Sequence, residues 1–330
     1  MLVSLPTISW LERFLSRRTT VTIGMPLYKS VDVLGETVDA LLSQTFRNFR
    51  VIMSVDGNDT ETAAICEKYL GDSRFELTLQ KQRLGWVGNL NWCMRQTQSD
   101  CFQYWQHDDI PDATYIEKLL ALMRRTPRAS IAYCDVQKFG ASDELVVQGT
   151  LDGPPRERVL SAMEGYWTPF RGLVRAECLQ RIGPIRANAE NGALEDIVWL
   201  TKAAREGALV RHPETLYRKR TSLETASGIW NHSRDQEERK RVWAAHGAGF
   251  VEALWPLAHD QQGKWEAVED VFRRLVAAKP GRWMYYEVKD REEFASLFLD
   301  KINSSDMKDI GASLGATRQS ILDRLLVSAA

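Results

Sequence analysis

Cys101-Phe102-Gln103-Tyr104-Trp105-Gln106-His107-Asp108-Asp109-Ile110-Pro111 is the stretch that decides the fold of this chain. Cys101 to Trp105 is a short run of mainly apolar and aromatic residues, the composition of a buried strand. After Pro111 a helical pattern runs over Asp112 to Arg124. Two adjacent carboxylates therefore fall at the carboxyl end of a strand, the edge at which open α/β sheets place ligands. Paired carboxylates suit a hard divalent cation, which takes oxygen ligands and, as Mg2+ or Mn2+, usually shares itself with substrate phosphates. An Asp pair alone is equally a solvated turn or a helix N-cap, so the flanking sequence has to decide.

Upstream, the same strand-then-helix unit recurs. Val21 to Met25 is an apolar, β-branched run stopped by Pro26, and Val33 to Leu42 carries apolar residues at helical spacing. Val51 to Val55 is a second strand, Asp56-Gly57-Asn58-Asp59 a turn and Thr60 to Tyr69 a helix opened by acidic and hydroxyl residues. Phe75 to Leu79 is a third strand and Trp86 to Gln96 a helix. Strands alternating with helices of this length imply parallel βαβ units, and hence an α/β fold with a mostly parallel twisted sheet flanked by helices.

Downstream, Ile131 to Val136 is a strand, Lys138 to Gln148 hairpin material, and Leu151 to Arg158, with Gly153-Pro154-Pro155, a loop. Arg171 to Arg175 reads as a strand and Ala176 to Ile182 as a helix ended by Gly183-Pro184. An Asn- and Gly-rich loop over Arg186 to Leu194 leads to a helix over Glu195 to Arg205, with strands near Leu209 and over Leu216 to Lys219. From Asp235 onward the pattern is helical, ending in a weakly structured tail. The organisation expected is an amphipathic segment over 1–19, a catalytic domain over 20–225 and a C-terminal helical appendage over 226–330.

Composition narrows the classes. The 330 residues are 44% hydrophobic with a formal net charge of −1, which allows a substantial core and gives no reason to expect a general nucleic-acid binder. The five cysteines, Cys66, Cys93, Cys101, Cys134 and Cys178, form no CxxC pair, so neither a disulfide framework nor a zinc site is indicated and a reducing cytoplasm is the simplest home. No apolar run approaches the roughly 20 residues that cross a bilayer. Near the N-terminus, Ile8, Leu11, Phe14 and Leu15 follow helical spacing beside Arg13, Arg17 and Arg18. Such a helix either packs on its own domain or lies peripherally at the inner face of a membrane. The C-terminal apolar stripes fit ordinary packing, an acceptor, a membrane or a homo-oligomer contact alike.

Three loops join the acid pair on the predicted sheet edge. Gly24-Met25-Pro26-Leu27-Tyr28-Lys29 lacks both GxGxxG and GxxxxGK[ST] but offers an aromatic and a cation, as a nucleobase-binding loop or a plain loop would. Asp56 before Gly57 is able to accept hydrogen bonds from a base or ribose, or to cap a solvated turn. Arg83-Leu84-Gly85-Trp86-Val87-Gly88-Asn89 combines a cation, two glycines and the amides of a helix N-terminus, a start that favours anions. Trp86, Trp105, Trp167 and Trp230 fall near predicted loops, where their flat faces fit either a sugar ring or the core. His107 is a ligand or a loop-orienting residue.

Taken together these stretches resemble the family 2 glycosyltransferases, which have the A-type glycosyltransferase fold. VTIGMPLYK resembles their first strand, SVDGNDTET their Asp-Gly-Ser-Thr-Asp type turn, RLGWVGNLNWCM their Asn-Leu-Gly helix start and WQHDDIPDATYIEKL their metal-binding strand end. RGLVRAECLQRIGPI is similar to their acceptor-side strand and helix, and LEDIVWLTKAAREG to the Glu-Asp helix that carries the base. The resemblance spans roughly residues 21–220. It implies a nucleotide-binding loop over Pro26, Leu27 and Tyr28, with Asp56 at the nucleoside and Arg83 and Gly85 near the base or diphosphate. It further implies that Asp108 and Asp109 hold the ribose and a divalent cation, Mn2+ or Mg2+, and that Asp196 is the catalytic base with Glu195 beside it.

The implied reaction is inverting transfer of a sugar from a nucleotide sugar, UDP-linked, to a hydroxyl of a saccharide or lipid-linked glycan. Two departures stand out. Gln106 takes the place of an acid in the family's Asp-x-Asp pattern, and Arg220 stands where the family often has a histidine, so side-chain cations partly replace a metal's charge. A sugar nucleotidyltransferase would carry a glycine-rich, arginine-containing first loop, which GMPLYK is not. A nucleotide-sugar-binding or scaffold protein without strong turnover is the non-enzymatic alternative, motivated by Gln106.

Overall fold

Each predicted βαβ unit is present. The computed structural model describes residues 19–186, 192, 194–222, 235–277, 286–304, 307 and 309–329. Trp230, the amphipathic segment except Thr19, and most of the Asn- and Gly-rich loop lie outside them. In chain order the first strands and helices are β1 (Val21–Leu27), α1 (Leu34–Leu42), β2 (Phe49–Val55), α2 (Thr60–Glu67), β3 (Phe75–Leu79), α3 (Gly85–Arg95), β4 (Cys101–Tyr104), β5 (Ile110–Pro111) and α4 (Tyr115–Arg125). There follow β6 (Ala129–Gly140), β7 (Glu144–Val146), α5 (Pro155–Ala162), a 3₁₀ turn (Thr168–Arg171), β8 (Leu173–Arg175), α6 (Ala176–Ile182), α7 (Glu195–Glu206) and β9 (Ala208–Thr221). The C-terminal helices are α8 (Gln236–Leu254), α9 (Gln261–Val276), α10 (Arg291–Asn303), α11 (Ile310–Leu314) and α12 (Arg318–Ser328).

The chain divides into two compact units. The first comprises residues up to 153, 166–185 and 206–221; the second comprises 154–165, 186–205 and 222 onward. The sequence pattern places a boundary after residue 225, whereas contacts assign two earlier segments to the unit that holds the C-terminal helices.

In the first unit the strands form one mixed sheet in the order β3-β2-β1-β4-β8-β6-β9-β5, with β7 paired to β6. Strands β1, β2, β3 and β4 are mutually parallel neighbours, with Val21 opposite Phe49 on one side and Cys101 on the other. Every residue of β1 except Pro26 is buried, as expected for a parallel strand covered on both faces. Gly24 makes that covering close: a Cβ there would stand 2.8 Å from Cys93 Cβ of α3 and from the Phe102 ring of β4. The two strands expected near Leu209 and Leu216 are one strand with an irregularity. Cys134 pairs with His212 and Asp135 with Thr215, so Pro213 and Glu214 loop out of the ladder to which proline has no N–H to give.

The second unit has its own core, in which Val251 and Phe250 of α8, Val271, Phe272 and Leu275 of α9, and Phe294 and Phe298 of α10 are buried together. Asp235, Asp260, Asp290 and Thr317 accept the N3 amide of the helices they precede, so each start is capped in the manner its sequence suggests. Two expectations need correction. The loop expected over Leu151 to Arg158 gives way at Pro154 to α5, because Pro155 sits at the first helical position, where its missing N–H costs nothing. The tail expected to be weakly structured contains α11 and α12, with Ile321 and Leu325 of α12 buried one turn apart. No helix of the described residues is long and apolar enough to cross a membrane.

Candidate active site

Parallel pairing brings the carboxyl ends of β1, β2, β3 and β4 to one edge. The first cluster there joins the three loops that follow β1, β2 and β3. Asp56, 2% exposed, accepts the backbone N–H of Leu84 at 2.7 Å and of Gly85 at 2.9 Å, while the Arg83 guanidinium lies 3.5 Å from the same carboxylate. Gly85 has φ +71°, a conformation disfavoured for other L-residues, and this presents its amide to Asp56 as α3 begins. Arg83 also stacks on Tyr28, its guanidinium carbon 3.0 Å from the ring centroid, with Arg83 half-exposed and Tyr28 open to solvent. Leu27 is buried and its carbonyl accepts the Asp56 amide at 2.9 Å, so it contributes main chain rather than side chain; Pro26 is half-buried. Asp59 caps α2 and takes the Lys29 amide, tying the β1 loop to the β2 loop.

Strand β1 lies between β2 and β4, so the Asp56 turn and the acid pair start two inter-strand spacings apart, roughly 10 Å. The expected pair is split by burial. Asp109 is fully buried, and its carboxylate accepts the Tyr217 hydroxyl at 2.9 Å and the Arg220 backbone N–H at 3.0 Å, with Arg171 Nε at 3.5 Å. Burial first, and then the Asp108 charge, raises its pKa against the pull of Arg171, Lys219 and the Tyr217 hydroxyl. Asp108 is half-buried, and among the described residues no donor pairs with its carboxylate. Thr37 of α1 donates to the carbonyls of His107 and Asp109, and Arg220 Nε to that of Asp108, which fixes the backbone of the turn. The expectation that both carboxylates face a cation thus meets an obstacle at Asp109, which is shielded from solvent and accepts a protein hydrogen bond on each oxygen.

Arg171, Tyr217 and Lys219 form a cationic and hydroxylic flank that the sequence reading did not assign. The Arg171 carbonyl accepts Gln103 Nε2 at 2.7 Å and the Tyr115 hydroxyl, which seats the 3₁₀ turn against β4 and α4. Lys219 is half-buried, and no carboxylate of the described residues lies within 4.0 Å of its ammonium. Burial and then Arg171 lower its pKa, with Asp109 and Asp108 opposing. Period-two alternation along Tyr217-Arg218-Lys219-Arg220, which places Tyr217 and Lys219 on one face, is the signal that points to this pair.

Glu195 and Asp196 open α7 in the second unit. Glu195, 1% exposed, is paired with Arg186 at 3.0 Å; Arg186 also binds Glu252 at 2.7 Å, and Glu252 binds Lys202 at 3.1 Å. This chain of charges joins α7 to α8. Asp196 is half-buried beside it. Of the tryptophans, Trp105 is core against Tyr115, Trp86 is exposed at the start of α3, and Trp167 is half-buried with Arg171 at 5.7 Å from its ring.

Among the described residues no group of three or more His, Cys, Asp or Glu side chains could hold a metal ion. The donor set therefore fits a hard cation only as one shared with a ligand, through Asp108, since Mg2+ and Mn2+ commonly rely on one or two carboxylates plus substrate oxygens.

Comparison with known proteins bears on the fold and the family. An uncharacterized glycosyltransferase of Haemophilus influenzae is 21% identical over 231 residues, 67% of this chain and 71% of the relative. The crystal structure of S. aureus TarS 1-349 in complex with UDP-GlcNAc superposes with a TM-score of 0.63 at 13% identity, covering 94% of this chain and 88% of that one. The mannosyltransferase PcManGT from Pyrobaculum calidifontis, in complex with GDP-Man and Mn2+, gives a TM-score of 0.52 at 14% identity, covering 96% and 88%. At these identities the structural likeness establishes the fold, a mixed α/β sheet of the A-type glycosyltransferases. Residues 22–171, the stretch that holds the strand-end acids and the convergent loops, match the model of Glycosyl transferase family 2, so this stretch is a family 2 glycosyltransferase domain.

Proposed function

We propose that the chain is an inverting transferase that moves a sugar from a UDP-linked donor to a hydroxyl of a saccharide or lipid-linked glycan. The observation that carries this is the convergence of Tyr28, Asp56 and Arg83, from three successive strand ends, on the edge that also bears Asp108. Each Asp56 oxygen accepts one amide, so each has a lone pair left for a base or ribose donor. Arg83, flat against Tyr28, offers a guanidinium face to a base or its N–H groups to a phosphate. Structures of this fold with UDP-GlcNAc and GDP-Man support a nucleotide-sugar donor.

In the reaction the acceptor oxygen bonds to the anomeric carbon as the bond from that carbon to the diphosphate oxygen breaks. Asp196 is assigned the acceptor's proton because its LEDIVW setting matches the family's base helix and because it, unlike Glu195, is partly open. Positive charge from Lys219 and Arg171 favours the departing diphosphate. A divalent cation, Mn2+ or Mg2+, held by Asp108 and shared with the diphosphate, would supply further charge neutralisation there. Displacement in one step inverts the anomeric configuration.

The test is UDP release from a panel of sugar nucleotides with saccharide and lipid-linked acceptors, with the product's anomeric configuration read by NMR. Inverted product is expected. Retained configuration removes the single displacement, and absence of release from every donor, together with tight UDP binding, would instead favour the scaffold reading.

A further inference from the structure

We propose that Asp109 is a positioning residue of the donor site and not a ligand to its cation. The inference rests on the transferase reading above and concerns how that site is held together. An ionised carboxylate offers about four lone-pair positions; Asp109 gives one on each oxygen, to the Tyr217 hydroxyl and to the Arg220 amide, with the Arg171 guanidinium at 3.5 Å, and zero solvent exposure shields the rest from a cation. These donors come from β9 and from the 3₁₀ turn, two segments far apart in sequence. Asp109 therefore pins both to the segment that joins β4 to β5. The same contacts place two groups outside this latch: the Asp108 carboxylate, which no donor of the described residues meets, and the Lys219 ammonium, which donates to the Arg220 carbonyl at 3.3 Å and meets no carboxylate of the described residues within 4.0 Å.

The site thus contains a closed pair, Asp109 with Arg171, and an open pair, Asp108 with Lys219. A carboxylate without a donor and an ammonium without a carboxylate are the groups able to receive a cation and a phosphate. The closed pair keeps them in register. Misplacement by about 1 Å is enough to cost on the order of 10²-fold in rate, so loosening the latch is expected to act on turnover without touching cation affinity.

Calorimetry of UDP binding with and without Mn2+, beside steady-state kinetics, separates the two roles in the full chain. Asp108→Asn is expected to remove most of the gain in UDP affinity that Mn2+ gives, a loss of about tenfold or more. Asp109→Asn is expected to leave that gain within about twofold while kcat falls about 10–100-fold and the donor KM changes little. Tyr217→Phe, which removes only the hydroxyl, is expected to show the same split at about 3–10-fold, and it decides the matter if Asp109→Asn does not fold. Loss of the Mn2+ gain in Asp109→Asn, or an unchanged kcat in Tyr217→Phe, overturns the proposal. A wild-type chain that turns over no donor overturns the transferase reading instead, whatever the variants do.

Discussion

Asp108-Asp109 between β4 and β5 and Glu195-Asp196 at the start of α7 are two acid doublets in two separate units, and both are divided in the same way. One member of each is buried and held near an arginine, Asp109 by Arg171 and Glu195 by Arg186, while its neighbour is half-buried. On the helix backbone geometry accounts for the division, since successive side chains turn by about 100°; Asp108 belongs to a turn and Asp109 leads into β5, which pairs with β9. The difference lies in what the buried acid holds. Asp109 takes a hydroxyl and a backbone amide and so fixes a strand end, whereas Glu195 enters a chain of ion pairs, Glu195-Arg186-Glu252-Lys202, that fixes one helix on another. Two adjacent acids in a sequence thus meet different surroundings in the fold.

The largest expected effect tests the division in the second unit. Asp196→Asn should lower kcat by about 10²–10⁴-fold, the usual worth of a general base, with little change in donor KM. Unchanged turnover in this variant, measured by UDP release, would remove Asp196 from that role. Glu195→Gln should act on stability instead, lowering the unfolding free energy in urea by about 2–4 kcal/mol. Loss of one partner of a buried ion pair leaves the other charge under-compensated, and here Glu252 stays on Arg186 to limit the damage. A catalytic defect in Glu195→Gln at full stability would show that Glu195 acts on the reaction and not only on the packing of α7 against α8.

Acid should weaken the second unit through a residue close to the same arginine. His246 of α8 is buried against Phe250, ring centroids 4.1 Å apart, and burial followed by the Arg186 charge lowers its pKa from 6.5 to about 3. Between these values the unfolded chain binds a proton that the folded chain refuses, so stability is complete above about 6.5 and falls as pH drops toward 3. The loss is about 2 kcal/mol near pH 5. Replacing His246 by Phe should flatten that part of the stability profile measured by thermal unfolding, and an unaltered profile would rule out the histidine as its cause. The smallest effect is at the outer end of the ion-pair chain. Lys202→Met should cost about 0.5–1 kcal/mol, since its ammonium is partly solvated and Glu252 retains Arg186.

Much of the site was legible without coordinates because its parts sit at strand ends. The run Cys101 to Trp105 followed by two acids, the Asp56-Gly57 turn and the Arg83 to Gly88 helix start each carry their own local signal, and parallel βαβ units must bring such ends to one edge. Arg171 was missed for the opposite reason. It lies in a 3₁₀ turn that has no periodic signature, and its partner Asp109 is far from it in sequence. Pro154-Pro155 misled because the same dipeptide closes a loop and opens a helix, and which it does depends on whether Val159 and Ala162 find a core to enter.

Periodicity, turn chemistry and helix caps are properties of a few neighbouring residues, so the alternation of strands and helices from Val21 to Arg125, the βαβ plan and the place of Asp56 and Arg83 on the sheet edge were legible in the amino-acid order alone. Partner choice for a buried charge is not local. That Asp109 closes on Tyr217 and Arg171 while Asp108 stays open, that Asp56 spends a lone pair of each oxygen on the start of α3, and that residues 154–165 and 186–205 join the C-terminal helices were settled only by packing. The physical reason is the cost of burying polar groups, which is recovered through whichever donors the fold brings within reach.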